Sequence, residues 1–187
     1  MKNILPLVLI PLGIIAAIFI FLAGYYNKFV TLNQQIDGQW AQVEVQYQRR
    51  FDLIPNLVNS VKGVLTQEQK VFGDIAEART RYSGAGSTNE KAQAASQLEG
   101  AVGRLLVVIE NYPQLRSNET VQSLMDELAG TENRIAVERR RFNELVQGYN
   151  TQISVFPGRL MAGIFGFSKR DFFQAAQGAE KAPAVNL

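Results

Sequence analysis

Between Ile4 and Tyr26 the chain carries no charged residue, and nearly every side chain there is Leu, Ile, Val, Phe, Ala, Gly or Pro. These 23 residues, at 1.5 Å rise each, give a helix of about 34 Å, enough to cross a hydrocarbon core of roughly 30 Å. A segment of this kind is expected to be a transmembrane helix over 4–26, behind a short tail over 1–3, because in lipid the backbone must satisfy its own hydrogen bonds. A cleaved signal peptide is the rival reading, with Lys2 as its positive start. The apolar run exceeds the usual h-region of ~7–15 residues, and a cut after Ala23 would put Phe21 where a small residue belongs. Tyr25 and Tyr26 fall where an interfacial aromatic belt sits, with Lys28 just outside it. Lys2 and the terminal amine against Lys28 give only a weak preference for a cytoplasmic amino terminus. Gly13 and Ala17 form a small-xxx-small pair through which two spans could approach.

Past the anchor, apolar residues keep steps of three and four: Phe29, Leu32, Ile36, Trp40, Val43, Tyr47, Phe51, Ile54, Val58, Val61, Leu65, Phe72, Ile75 and Ala78. That spacing predicts one long helix to about Tyr82, leaving the membrane and kinking at Pro55. The run Arg49–Gly63 puts two arginines, an aspartate, a proline and two asparagines along this seam. Asp52 is expected either to pair with a buried arginine or to cap a fresh helix start that has Pro55 in its first turn.

Ser83–Thr88 reads as a linker. A second helix follows from about Asn89 to Tyr112, presenting Ala94, Leu98, Val102, Leu105, Ile109 and Tyr112, and Pro113 stops it. After a turn over 113–117, Ser117 or Asn118 caps a third helix with Glu119 in its first turn. Val121, Leu128, Ile135, Phe142 and Tyr149 recur in sevens there, interrupted by Thr131 and Glu138, a pattern tied to register or partner choice. Phe156-Pro157-Gly158 ends that helix. Leu160, Met161, Ile164, Phe165, Phe167, Phe172 and Phe173 then crowd a short segment with Arg159, Lys169 and Arg170. It suits either a lid folded on the bundle or a surface for the bilayer or a sister subunit. The expected fold is all-α: an N-terminal transmembrane helix continuing into an antiparallel bundle of long helices over 27–157, a short C-terminal amphipathic segment over 158–176, and a disordered tail over 177–187.

Chemistry is mostly excluded. With neither cysteine nor histidine, disulfides, thiolate and imidazole metal sites, and Ser-His or Cys-His nucleophiles cannot be built. Asp52, Glu110, Glu132 and Glu138 could converge in a bundle, but the dinuclear helical motif needs Glu-x-x-His. Ser60 and Lys62 lie two apart and do not share a helix face. Nineteen basic residues against seventeen acidic ones, interleaved, give no footprint for nucleic acid. In the basic cluster Arg139–Arg141, Arg139 or Arg141 is expected to pair with Asp52, Glu110 or Glu132. No catalytic residue, cofactor or metal is expected.

The segments RRFDLIPNLVNSVKG (49–63), EARTRY (77–82), ENYPQLRSNE (110–119) and TENRIAVERRRFNELVQGYNTQISVFP (131–157), with YNKFVTLNQQIDGQWAQVEVQYQ after the anchor, resemble the LemA family of bacterial membrane proteins, up to about Phe173. The resemblance implies one amino-terminal transmembrane helix, an antiparallel helical domain and no enzymatic activity to carry over. Its motif positions, taken as structural or assembly determinants, are Arg50, Asp52, Pro55, Asn56, Glu110, Tyr112, Pro113, Asn118, Glu132, Asn133, Arg134, Asn143, Asn150 and Pro157. Where the family often carries a His-Glu pair after Lys62-Gly63, this chain reads Val64-Leu65-Thr66-Gln67-Glu68, so no histidine role transfers. The family's outward-facing amino terminus opposes the charge count, and the side of the membrane stays open. The combined expectation is a single-pass protein of the bacterial cytoplasmic membrane, a scaffold that contacts the bilayer, forms homo-oligomers and meets other envelope proteins. A monomeric adaptor or regulator of a membrane protease or sensor is the alternative.

Overall fold

The computed structural model describes residues 5–65 and 68–173. The expected tails over 1–3 and 177–187, Ile4 of the anchor and residues 174–176 of the terminal segment lie outside the described residues. Six helices make up the described chain: α1 (Leu5–Val61), α2 (Gln69–Gly84), α3 (Thr88–Glu110), α4 (Pro113–Arg116), α5 (Glu119–Gln152) and α6 (Gly158–Phe165). The all-α class stands, but the expected helix to Tyr82 breaks. α1 ends at Val61, where the N–H groups of Val64 and Leu65 both donate to the Val61 carbonyl at 3.0 Å. Gly63 is a weak helix former, by about 1 kcal/mol relative to alanine, and the chain turns there. The apolar spacing persists across the break because Leu65, in the turn, is still buried.

Pro55 lies inside α1, and no fresh start occurs at Asp52. Leu57 rather than Val58 faces the core. The turn expected over 113–117 contains the one-turn helix α4, with Pro113 in its first turn, where a missing N–H leaves nothing unsatisfied.

Two compact units divide the chain. The first holds α1 up to Trp40 together with Arg141–Phe172, that is, the end of α5, α6 and the strand-free segment after it. Phe29, Ile36 and Trp40 of α1 are buried here, as are Phe142, Val146, Tyr149 and Ile153 of α5 and Met161 and Ala162 of α6. Trp40 meets Phe142 edge-on at 5.5 Å, while Lys28 donates to Gln152 at 2.7 Å, so the two helices run antiparallel. From Leu9 to Phe21 the large apolar side chains are about half to three-quarters exposed, the distribution of a helix whose solvent is lipid. Gly158 enters α6 where only glycine fits. A Cβ there would stand 2.0 Å from the Gln152 carbonyl oxygen.

The second unit is Ala41–Arg140 with Phe173. Val43, Tyr47, Phe51, Ile54, Leu57 and Val61 of α1 pack with Ile75 and Ala78 of α2, the Leu98–Ile109 face of α3, Leu115, and Val121, Leu128 and Ile135 of α5. α2 lies along α3, and pairing of Arg104 with Asp74 (2.8 Å) and Arg81 with Gln97 (3.1 Å) shows the antiparallel register. Their connection is shorter than the expected Ser83–Thr88 linker, because Ser87 caps α3 in a reciprocal box with Glu90. The N–H groups of Gly86 and Ser87 hold the Glu90 carboxyl below its ordinary pKa. Of the two candidate caps for α5, Asn118 is the one used: its Oδ1 accepts from the Val121 N–H at 3.1 Å. Val121, Leu128, Ile135, Phe142 and Tyr149, spaced by sevens, are all buried within the chain; of the two polar interruptions Glu138 is half-buried, and Thr131 is buried and satisfies itself by donating to the Leu128 carbonyl at 2.7 Å.

Candidate functional site

The densest polar arrangement in the second unit is built on three helices. Arg50 projects from α1 into the core at 3% exposure. Its Nη2 donates to Glu132 of α5 at 3.0 Å, and its Nη1 lies 3.6 Å from Glu99 of α3, an ion-pair distance rather than a hydrogen bond. Glu99 also takes a hydrogen bond from Arg139 of α5, so one carboxylate bridges two guanidinium groups. Arg139 in turn donates through Nε to the Tyr47 hydroxyl at 2.9 Å and stacks over Phe173, its Cζ 4.4 Å from that ring centre. Two cations thus face two anions across a neutral phenol, with Arg50 Nε buried and unpartnered among the described residues. A cation as buried as Arg50 persists only when paired.

Burial pushes the Tyr47 hydroxyl well above its ordinary value, against the pull of Arg139. Tyr82, packed on Phe51 at 4.3 Å, is pushed up to about 12, first by burial and then by Glu44. An acid with a raised folded pKa holds its proton more tightly in the native state. Its stabilising effect is complete below the unfolded value of about 10 and is lost as pH rises beyond it. The urea midpoint is therefore expected to fall between pH 10 and about 12, and a Tyr47→Phe, Tyr82→Phe double variant to flatten that fall. An equal fall in the double variant would place the titration elsewhere.

A second cluster lies in the first unit. Asn150 clamps the backbone of Arg170 from both sides, Nδ2 donating to its carbonyl at 2.8 Å and Oδ1 accepting its N–H at 2.9 Å. The Arg170 guanidinium reaches Asn33 at 3.1 Å and Asp37 at 2.5 Å, one turn apart on α1. Tyr149 donates to the Ser168 carbonyl at 3.0 Å. These contacts fasten the segment after α6 along α1.

The motif positions scatter between these places. Arg50 and Glu132 meet directly; Asn150 holds the clamp and Pro157 precedes α6; Asn118 caps α5. Tyr112 and Pro113 open α4. Asn56 is exposed, its carbonyl accepting from Ser60 at 2.8 Å, and Pro55 is half-buried. Asn133 is exposed and Asn143 half-buried. Arg134 lines an open polar hollow with Arg49, Glu119 and Asp126, and Glu110 lines another with Arg116 and Met125. Two pairings differ from expectation. Asp52 is exposed and receives the Gln48 amide at 2.9 Å, neither capping a helix nor neutralising an arginine. Arg139, one of the two arginines expected to meet Asp52, Glu110 or Glu132, pairs with Glu99 and Tyr47 instead. Asp52→Ala is accordingly expected to change stability by less than about 0.5 kcal/mol; a loss of 3 kcal/mol or more would reinstate a buried partner.

Glu99, Tyr47, Asn33, Asp37 and Arg170 complete the two clusters without having been singled out for it. The Asn33–Asp37 spacing marks a shared helix face, but nothing local marks Glu99, whose partners come from helices about 40 to 50 residues away in sequence. Among the described residues, no group of three or more Asp or Glu side chains is placed to hold a metal ion.

A family model described as LemA family matches residues 39–187. Magnetosome protein MamQ 2 of Paramagnetospirillum magneticum is 29% identical over 80% of this chain and 64% of its own length. Magnetosome protein MamQ of Magnetospirillum gryphiswaldense is 28% identical over 79% and 64%. Protein LemA of Metamycoplasma hominis is 19% identical over 90% and 76%. The chain spans less than two thirds of the length of the magnetosome relatives.

Proposed function

Given that the chain belongs to the LemA family and is a membrane-associated helical protein, we propose that it is a non-enzymatic, single-pass scaffold of the bacterial cytoplasmic membrane that self-associates and offers its helical surfaces to other envelope proteins. The observation that carries this reading is the split character of α1. Its apolar first part is unburied by the rest of the chain, while its later part supplies core residues to a helical unit. The polar clusters support it too, because the partners they show come from the same chain and neither cluster, among the described residues, sets a nucleophile beside a base.

The seam of sevens is filled within the chain, so self-association has to use other surfaces. In the span, the position of a Gly13 Cβ is open, with nothing within 4 Å, which suits close approach of a second copy. The magnetosome role in the relatives' names stays with those proteins. Native mass spectrometry of the full chain in nanodiscs tests the proposal: a defined oligomer is expected. A strictly monomeric chain with one dominant enzyme neighbour by proximity labelling would replace the scaffold with an adaptor, and a monomer with no neighbour would end both readings.

A further inference from the structure

We propose that α6 and the turn before it lie in the interfacial layer of the lipid bilayer, as a short helix in the membrane plane seated against the base of the span. The inference rests on the anchor reading of α1 and adds to it a second membrane contact.

Position comes first. Tyr26 ends the apolar stretch and Lys28 is the first charge after it, so this turn of α1 marks the lipid–water boundary. The end of α5 and all of α6 gather there. Lys28 holds Gln152 at 2.7 Å, Phe165 lies edge-on to Tyr26 at 5.3 Å, and Phe167 meets Tyr26 at 5.9 Å and Phe29 at 5.4 Å. The Cβ position of Gly158 is 3.5 Å from the Phe29 ring.

Direction follows from the same contacts. α6 begins beside Phe29 and ends beside Tyr26, which covers about 4.5 Å along α1, while its own eight residues span about 11 Å. Contacts within one turn of α1 at both ends suit a short helix laid across it, the direction that puts α6 near the membrane plane.

The faces are divided accordingly. Gly158, Met161 and Ala162 are buried against the unit. Outward stand Leu160 at 56% and Ile164 at 60%, with Phe156 at 85% in the preceding turn. Such a patch is unfavourable in water at roughly 25 cal/mol per Å². From Val155 to Lys169 there is no acidic residue, and Arg159 and Lys169 are both exposed. Long basic side chains at this depth reach phosphate headgroups while their stems lie along apolar surface. The in-plane interfacial helix has this composition: an apolar face flanked by cations.

The chain contains no cysteine, so single nitroxide labels need no background substitution. Ile15→Cys, Leu160→Cys, Ile164→Cys and Glu127→Cys, each in the full chain, are labelled and reconstituted in vesicles of phosphatidylcholine and phosphatidylglycerol. Collision with oxygen, which prefers lipid, is compared with collision with a water-soluble nickel chelate. Labels at 160 and 164 are expected to give an oxygen-to-nickel ratio several-fold above that at 127 and below that at 15. A ratio at 160 and 164 equal to that at 127, with Ile15→Cys still lipid-like, overturns the interfacial helix and leaves the anchor standing. Spin–spin broadening at 160 and 164 that dilution with unlabelled protein removes would assign the patch to a second copy and overturns it equally. An aqueous ratio at 15 would remove the anchor itself.

Discussion

Replacing Glu99 by alanine is expected to cost about 3–5 kcal/mol of unfolding free energy, the range for breaking a buried ion pair from one side. The size follows from what is left behind. Arg50 is 3% exposed, and its guanidinium would keep only Glu132, whose side chain is 58% exposed and so shares its charge with water. Arg139 would keep only the neutral Tyr47 hydroxyl and the Phe173 face. One almost fully buried cation would then rest on a surface carboxylate, and a second, partly buried one on neutral groups alone. Removing the cation as well should recover much of the loss: with Arg50→Met added, the long apolar stem still fills its place and the desolvation penalty disappears. Urea unfolding of the wild type, both single variants and the double variant closes the cycle. A Glu99→Ala loss below about 1 kcal/mol would mean that water reaches Arg50 and that the cluster does not hold the helices.

Gly158→Ala is expected to detach α6, with a loss of about 3 kcal/mol or more from its docking. An added methyl would sit 2.0 Å from the Gln152 carbonyl oxygen and 3.2 Å from its carbon, both backbone atoms that no rotamer change can move. Overpacking of this kind costs typically about 1–3 kcal/mol. Displacing α6 also loosens the ring contacts of Phe165 and Phe167 with Tyr26 and Phe29, worth about 0.5–1.5 kcal/mol each beyond area burial. Hydrogen exchange separates local from global effects: protection should fall over 158–170 and persist over α2 and α3, which belong to the other unit. Unchanged protection over 158–170 would show that the turn absorbs the methyl.

These two sites differ in how far the sequence announces them. Gly158 stands in Phe-Pro-Gly, a legible helix stop, and the need for glycine there comes from a carbonyl six residues earlier folded back onto it. Glu99 is one glutamate on a helix whose apolar spacing marks the buried face from Leu98 to Ile109. That periodicity says which way Glu99 turns, but not which helix stands opposite. The same limit explains Asp52: residues three apart from Pro55 can form a helix start, and only the continuity of α1 to Val61 shows that they do not. Apolar spacing does not mark the break after Val61, because Leu65, in the turn, is as buried as a helical residue would be.

The sequence by itself determined the uncharged span, the helical class, the helix boundary at Pro113 and the seam of sevens in α5; of Ser117 and Asn118, the structure selected the cap. Each is a matter of local spacing, a repeat of about 3.6 or a length set against the bilayer. The tertiary structure alone decided that Arg50 and Arg139 share Glu99, that Asn150 grips the backbone of Arg170, and that α6 returns to the level of Tyr26. Those pairings join residues 20 to 139 positions apart. Their partners are fixed by which helix faces meet once the apolar surfaces are buried, and no local pattern encodes that choice.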